Sequence, residues 1–133
     1  MVGVAARILV VEDNELIRAE VATILSLEGF EVVEAENGRD GLDRLAEKRP
    51  DLILSDLMMP EMDGFAFLEA ARVNTLWASI PFVILSARSD GEAVEQALAL
   101  GARRYVTKPV DVEALLAIVT YALAGGGSRP DGG

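Results

Sequence analysis

The stretch Asp51-Leu52-Ile53-Leu54-Ser55-Asp56-Leu57-Met58-Met59-Pro60-Glu61-Met62-Asp63-Gly64 decides the fold. Its first part is an apolar run, which is typical of a strand buried on both faces of a sheet. Pro60 and the pair Asp63-Gly64 are turn formers, so Asp56 falls where a strand ends and a loop begins. Ligands of open parallel sheets bind outside the carboxyl ends of the strands. An acidic residue at that point is a cation ligand, a nucleophile or a helix cap.

The composition excludes several classes of protein. A chain of 133 residues that is 51% hydrophobic is expected to form one domain with a filled core. The net charge of −10 argues against nucleic acid and anionic membranes as direct partners. The absence of cysteine and histidine excludes disulfides, Ser-His triads, His-ligated zinc and a histidine phosphocarrier role. No apolar stretch reaches membrane-spanning length and no signal peptide is visible, so a cytoplasmic location is expected.

On both sides of the opening stretch, short apolar runs alternate with amphipathic segments. The runs predict strands at Arg7–Val11, 30–35, Leu52–Ser55, 81–85 and Arg104–Thr107. Helices follow each strand, with Asp13 or Asn14, Asp90 and Asp111 as candidate caps and the third helix at 65–73. This alternation predicts an α/β fold, a doubly wound parallel sheet with helices on both faces. We expect this domain to cover residues 1–124, and residues 125–133 to be a flexible glycine-rich tail or linker.

Polar residues follow four of the five predicted strands. Glu12 and Asp13 follow the first, Asp56 the third, Ser86 the fourth and Lys108 the fifth. Parallel strands place their carboxyl ends at one edge, so these side chains are expected to converge. Three neighbouring carboxylates repel one another by several kcal/mol, roughly 4 per pair at 4 Å. A hard cation would relieve this repulsion, and oxygen ligands with room for water favour Mg²⁺ over zinc.

A carboxylate beside Mg²⁺ and a lysine is suited to accept a phosphoryl group. Asp56 is the best candidate nucleophile because it follows the central strand. Glu12 and Asp13 would hold the metal, Lys108 would neutralise the phosphoryl oxygens, and Ser86 could donate a hydrogen bond to the new phosphate.

These motifs together resemble the receiver domain of two-component response regulators, the family of the chemotaxis response regulator. The matching features, spread over residues 5–124, are Glu12-Asp13, Asp56 with Met58-Met59-Pro60 and Asp63-Gly64, Ser86-Ala87, and Lys108-Pro109. The resemblance implies a flavodoxin-like, five-stranded sheet with the strand order 2-1-3-4-5. One position is less usual for the family, since Ser86 stands where threonine is common, and serine lacks the methyl group that restricts the rotamer.

The resemblance also implies a role for each matching residue at the phosphate and the metal. Asp56 would accept phosphate from a histidine of a partner. Asp13, Asp56 and the main-chain carbonyl of Met58 would bind Mg²⁺, for which Mn²⁺ could substitute, and Glu12 would act through water. Lys108 would pair with the phosphate, and the peptide bond that follows it resembles the family's cis bond.

The resemblance further implies a switch and partners. Ser86 and Tyr105 would be the switch pair, and the face formed by 90–100, Arg104–Thr107 and 111–123 would be the output surface. The phosphate donor would be a sensor histidine kinase or a histidine phosphotransfer protein. Small donors such as acetyl phosphate and self-catalysed dephosphorylation are also expected. The output would reach a downstream protein or a fused effector domain, and the alternatives of a receiver fragment of a larger multidomain regulator or hybrid kinase, and of a homodimer on the output face, are left open.

Three alternative functions remain for this arrangement. An aspartyl-phosphate phosphatase is disfavoured because the position of its general acid, two residues after the nucleophile, is Met58. A flavodoxin-type electron carrier is disfavoured because the acidic loop after the first strand would repel a flavin phosphate. A receiver-shaped interaction module that is never phosphorylated is disfavoured because packing alone does not require the complete set. Singly, Asp56 could be only a helix cap, and Tyr105 only a packing residue.

Overall fold

The computed structural model describes residues 5–125, in which strands and helices alternate. The strands are β1 (Arg7–Val11), β2 (Glu31–Ala35), β3 (Leu52–Ser55), β4 (Phe82–Ser86) and β5 (Arg104–Thr107). The helices are α1 (Glu15–Leu27), α2 (Gly38–Glu47), α3 (Gly64–Val73), α4 (Gly91–Ala99) and α5 (Val112–Leu123). Except for Gly125, the tail predicted at 125–133 lies outside the described residues. Of the described helices, none combines the length and the apolar character needed to cross a membrane.

The five strands form one parallel sheet in the order β2-β1-β3-β4-β5. This confirms the predicted fold class and strand order. The register aligns Val11 with Ser55, and Ser86 with Thr107, so the carboxyl ends of β1 and β3, and those of β4 and β5, are level. The residues that follow these strands therefore start from one edge of the sheet.

Apolar side chains alternate between the two faces of the sheet, as the twofold repeat of a strand requires. On one face, side chains such as Leu9, Ile53 and Ile84 pack with residues of α2, α3 and α4. On the other face, Ile8, Leu54 and their neighbours pack with α1 and α5. All four residues of β3 are buried, which explains its apolar run at 52–54; the fourth, Ser55, is a buried polar residue.

Each helix begins at a side chain that accepts a hydrogen bond from the main-chain N–H three residues later. These N-caps are Asn14, Asn37, Asp63, Asp90 and Asp111. The caps predicted at Asp90 and Asp111 are confirmed, and of the two candidates for α1 the structure selects Asn14. The predicted start of α3 was one residue late, because the cap at Asp63 allows the helix to begin at Gly64.

Arg72 ties several segments together at the edge of the sheet opposite the carboxyl ends. Its guanidinium donates to the main-chain oxygens of Gly101 (3.1 Å), Ile80 (2.9 Å) and Trp77 (3.5 Å). It also lies 5.9 Å from the centroid of the Phe82 ring, within the range of a cation–π contact. Burial lowers the pKa of Arg72 from its ordinary value, and the nearby charge of Arg103 adds to the effect.

Candidate functional site

Three carboxylates meet at the carboxyl edge of the sheet. Glu12, Asp13 and Asp56 each place one oxygen so that all three oxygens lie within 4.8 Å of one another. Glu12 is 5% exposed and the Asp56 side chain 10%, whereas Asp13 is open to solvent. The structure therefore brings together the three acidic groups that the sequence placed on two separate strand ends.

Asp56 is held by the main chain on both sides. Its N–H donates to the carbonyl of Val11 (2.9 Å), which continues the pairing of β1 and β3 beyond the last strand residue. One carboxylate oxygen, Oδ1, accepts from the N–H of Leu57 (2.7 Å). A Cβ at Gly64 would lie 2.5 Å from the Asp56 carbonyl oxygen, so only glycine allows α3 to start this close. The position of the candidate nucleophile is thus set by the backbone around it.

Glu12 is a structural centre of the site as well as a candidate metal residue. Its N–H donates to the Ala35 carbonyl (3.0 Å), and its Oε2 accepts from the N–H of Asn14 (3.1 Å). Because Asn14 caps α1, the neighbouring Asp13 carboxylate is not needed as the cap of that helix. This division of tasks leaves Asp13 available to a cation.

Lys108 reaches two of the three carboxylates. Its Nζ lies 2.9 Å from Glu12 Oε1 and 3.5 Å from Asp56 Oδ2, and its side chain is 19% exposed. Burial alone would lower the pKa of Lys108, but the hydrogen bond to Glu12 and the charges of Asp56 and Glu12 outweigh it and raise the pKa above 10.5. The amine therefore stays protonated at neutral pH. The Lys108–Pro109 peptide bond is cis, as the family resemblance implied.

The two candidate switch residues, Ser86 and Tyr105, meet at Arg88. Ser86 is fully buried, and its Oγ accepts from the N–H of Arg88 (3.1 Å). The hydroxyl of Tyr105 donates to the carbonyl of the same residue (2.7 Å), and its ring packs against the core. The main chain of Arg88 thus connects Ser86 and Tyr105.

Arg18 is a residue of the site to which sequence reasoning assigned no role. It donates to the Glu12 carbonyl (2.8 Å) and pairs with Glu34 (3.2 Å) across α1 and β2. Two features of the sequence could have indicated this role: Arg18 lies four residues after Asn14, and acidic residues alternate with apolar ones in β2.

Met58, which follows Asp56 by two residues, is 58% exposed. The carbonyl of Met58 as a metal ligand stays a prediction.

The donor set fits a hard divalent cation. All three clustered ligand atoms are carboxylate oxygens, and the exposed Asp13 leaves the site open to solvent on one side. The positive charge of the Lys108 amine lies beside these carboxylate oxygens. The arrangement suits Mg²⁺ and the oxygens of a phosphoryl group.

The comparison with known proteins agrees with this geometry. The family model of the response regulator receiver domain matches residues 8–120. The chain belongs to this receiver domain family. Receiver domains are phosphorylation-dependent signalling domains of two-component systems; they bind Mg²⁺ at an acidic cluster and interact with histidine kinases and effector domains.

Curated relatives of this receiver domain differ in length. Over 117 residues it is 39% identical to the regulatory protein AtoC of Escherichia coli, and the match covers 88% of this chain and 25% of AtoC. It is 41% identical to the phosphate regulon transcriptional regulatory protein PhoB of E. coli, covering 85% of this chain and 49% of PhoB. Protein PilH of Pseudomonas aeruginosa is 34% identical, with 90% and 99% covered. The receiver domain thus spans half or less of AtoC and PhoB but almost all of PilH.

Solved receiver structures share the fold. The chemotaxis protein CheY4 of Vibrio cholerae superposes with a TM-score of 0.84 at 33% identity, covering 88% of this chain and 98% of that one. A CheY-like receiver domain protein from Methanospirillum hungatei gives a TM-score of 0.87 at 30% identity, covering 92% and 96%.

Proposed function

We propose that Asp56 of this receiver domain is the phosphoryl acceptor, and that a phosphohistidine of a sensor kinase or phosphotransfer protein is the donor. The observation that supports this best is the position of the Asp56 carboxylate between two acidic side chains and the Lys108 amine. Such a site combines a nucleophile, a place for a cation and a fixed positive charge.

In the proposed reaction a carboxylate oxygen of Asp56 attacks the phosphorus of the donor. A bond from this oxygen to phosphorus forms while the bond from phosphorus to the histidine nitrogen breaks, and the imidazole leaves with its electron pair and is protonated. Lys108 lies 3.5 Å from Asp56 and would pair with the phosphoryl oxygens, and Ser86, the last residue of the adjacent strand, would donate a hydrogen bond. Hydrolysis of the acyl phosphate by water would return the carboxylate.

Asp13, Asp56 and the Met58 carbonyl would hold Mg²⁺, with Glu12 acting through water and Mn²⁺ as a substitute. The bound cation would neutralise charge on the transferring group. Before the cation binds, the Lys108 amine offsets part of the repulsion among the carboxylates. The carboxylates of Glu12, Asp13 and Asp56 would then favour occupancy of the site, because their negative charges attract the cation.

The phosphorylated state would act through the face formed by α4, β5 and α5. Tyr105 lies on β5 and contacts Arg88 at the start of the loop to α4, which joins the site to this face. The partner would be a downstream protein or an effector domain in the same chain; the match to the transcriptional regulatory protein PhoB covers 49% of that protein. Dimerisation on this face and a cytoplasmic location remain predictions, as does the division into a domain at 1–124 and a tail at 125–133.

Phosphoryl uptake from a small donor tests the proposal directly. The protein is incubated with Mg²⁺ and acetyl phosphate, and its intact mass is measured over time. We expect one phosphoryl group on the native chain and none on Asp56→Asn, while Asp51→Asn, an exposed aspartate at the opposite end of β3, behaves as the native chain. Equal uptake by Asp56→Asn, or no uptake by the native chain, would overturn the proposal.

A further inference from the structure

The loop between β4 and α4 is organised around Arg88. The main-chain N–H of Arg88 donates to Ser86 Oγ (3.1 Å), and its carbonyl accepts from the Tyr105 hydroxyl (2.7 Å). Both main-chain polar groups of Arg88 are therefore committed to side chains of the candidate switch pair. A change in the backbone of Arg88 would disturb both contacts at once.

The Arg88 side chain is itself fixed by an ion pair. Its Nε and one terminal nitrogen donate to the two oxygens of Asp90 at 3.0 and 2.9 Å, the two-bond geometry that orients an arginine most strongly. The same Asp90 carboxylate accepts from the N–H of Ala93 (3.1 Å) and so caps α4. The bonds from Arg88 and then Ala93 lower the pKa of Asp90 to about 2, so the pair is charged over the whole neutral range.

This geometry affects the Ser86 hydroxyl. A hydroxyl has one donor and two acceptor positions, so a bond accepted from Arg88 leaves its hydrogen to be donated elsewhere. The neighbouring strand end, which β3 provides, carries Asp56. With an acceptor position of Ser86 filled by the Arg88 amide, the hydroxyl hydrogen is left for a group on that carboxylate.

We propose that Arg88, held by Asp90, is a positioning residue that orients the Ser86 hydroxyl toward a phosphoryl group on Asp56. The proposal rests on the function proposed above. The two paired side chains are 38% and 48% exposed, so the pair adds little to the stability of the fold and its effect is expected on the loop.

The test compares the initial rates of phosphoryl uptake from acetyl phosphate in four variants. Arg88→Ala removes the ion pair, whereas Asp90→Asn removes its charge and retains a side chain that caps helices well. Each is expected to lower the rate by about tenfold, the cost of one transition-state hydrogen bond. The double variant should be no slower than either single variant, and Arg88→Lys should recover part of the rate.

Two controls separate positioning from a merely structural role. Asp111→Asn makes the same change at the N-cap of α5 and should leave the rate unchanged. In a Ser86→Ala background, the loss caused by Arg88→Ala should disappear, because the hydroxyl that it positions is gone. Thermal melts of every variant show whether the fold is retained.

The outcomes distinguish this inference from the proposed function. If the native chain takes up phosphate and Asp56→Asn does not, while Arg88→Ala and Asp90→Asn match the native rate, the positioning role is wrong and the acceptor role stands. An undiminished effect of Arg88→Ala in the Ser86→Ala background likewise overturns the positioning role. If the native chain takes up no phosphate, both proposals fail together.

Discussion

Lys108 Nζ lies 2.9 Å from Glu12 Oε1, although the two residues are 96 positions apart and two strands, β3 and β4, lie between their own strands. The lysine thus crosses the carboxyl edge of the sheet and passes beside Asp56 on the way. A contact of this kind holds the two sides of the site at a fixed separation. Because Lys108 contacts both Glu12 and Asp56, the protonation of its amine depends on the charges of both carboxylates.

The raised pKa of Lys108 predicts a loss of stability in alkaline solution. The folded state retains this proton above pH 10.5, where the unfolded chain releases it, so the contribution is complete below pH 10.5 and falls as the pH rises through the folded-state pKa. Lys108→Met should therefore show a smaller decrease in the free energy of unfolding above pH 10.5 than the native protein.

Urea unfolding at a series of pH values measures this difference. Lys48→Met is the control, since Lys48 is 62% exposed and its contact with Glu31 is long, at 3.6 Å. Identical pH slopes for the native protein and Lys108→Met would contradict the prediction.

Removal of the Asp13 carboxylate should separate stability from metal binding. Asp13→Asn relieves repulsion among three clustered oxygens, so the thermal midpoint in EDTA should rise. The variant should bind Mg²⁺ roughly tenfold or more weakly, so added Mg²⁺ should stabilise it less than the native protein. Calorimetric titration and thermal melts with and without Mg²⁺ provide the measurements. Asp43→Asn, an exposed change on α2, should alter neither, and equal Mg²⁺ affinity of Asp13→Asn would sink the metal assignment.

Gly64 and Gly91 are the first residues of α3 and α4 but differ in their surroundings. A Cβ at Gly64 would lie 2.5 Å from the Asp56 carbonyl oxygen and 2.8 Å from the Cα of Leu57, whereas nothing lies within 4 Å at Gly91. Gly64→Ala should lower the free energy of unfolding by about 1–3 kcal/mol through overpacking. Gly91→Ala should raise it by about 0.5 kcal/mol through the unfolded chain. Equal effects in urea unfolding would mean that α3 can move away from β3 at little cost.

Glu61 adopts a conformation that favours glycine. Its φ is +65°, in the left-handed region that is costly for residues with a Cβ. Glu61→Gly should raise the free energy of unfolding by up to about 1 kcal/mol. The matched change Glu28→Gly, at a φ of −87°, should give no such gain. Thermal or urea unfolding decides, and a destabilised Glu61→Gly would contradict the conformational argument.

The sequence was most informative where chemistry depends on strand ends. Buried apolar runs predicted the central strands, and the parallel pairing that they imply was enough to bring Glu12, Asp56 and Lys108 together. The caps at Asp90 and Asp111 were also predictable, because capping is a local property of a few adjacent residues.

Side-chain partners within loops were less predictable. The bond from Tyr105 to the Arg88 carbonyl and the reach of Arg18 to Glu12 depend on how three segments lie in space. Similarly, the hydrogen bond from Lys108 to Glu12 was not predicted from the sequence. Spacing along the chain carries no information about such rotamers.

The Arg72 guanidinium, which joins the carbonyls of Gly101, Ile80 and Trp77, has a mechanical consequence for the whole domain. It fixes the end of the domain opposite the carboxylates, because it bonds the C-terminal part of α3 to the segments that precede β4 and β5. Movement triggered at the carboxyl edge of the sheet would then be confined to the loops at that edge. The conformational response of the domain would therefore be limited to the end that carries the carboxylates.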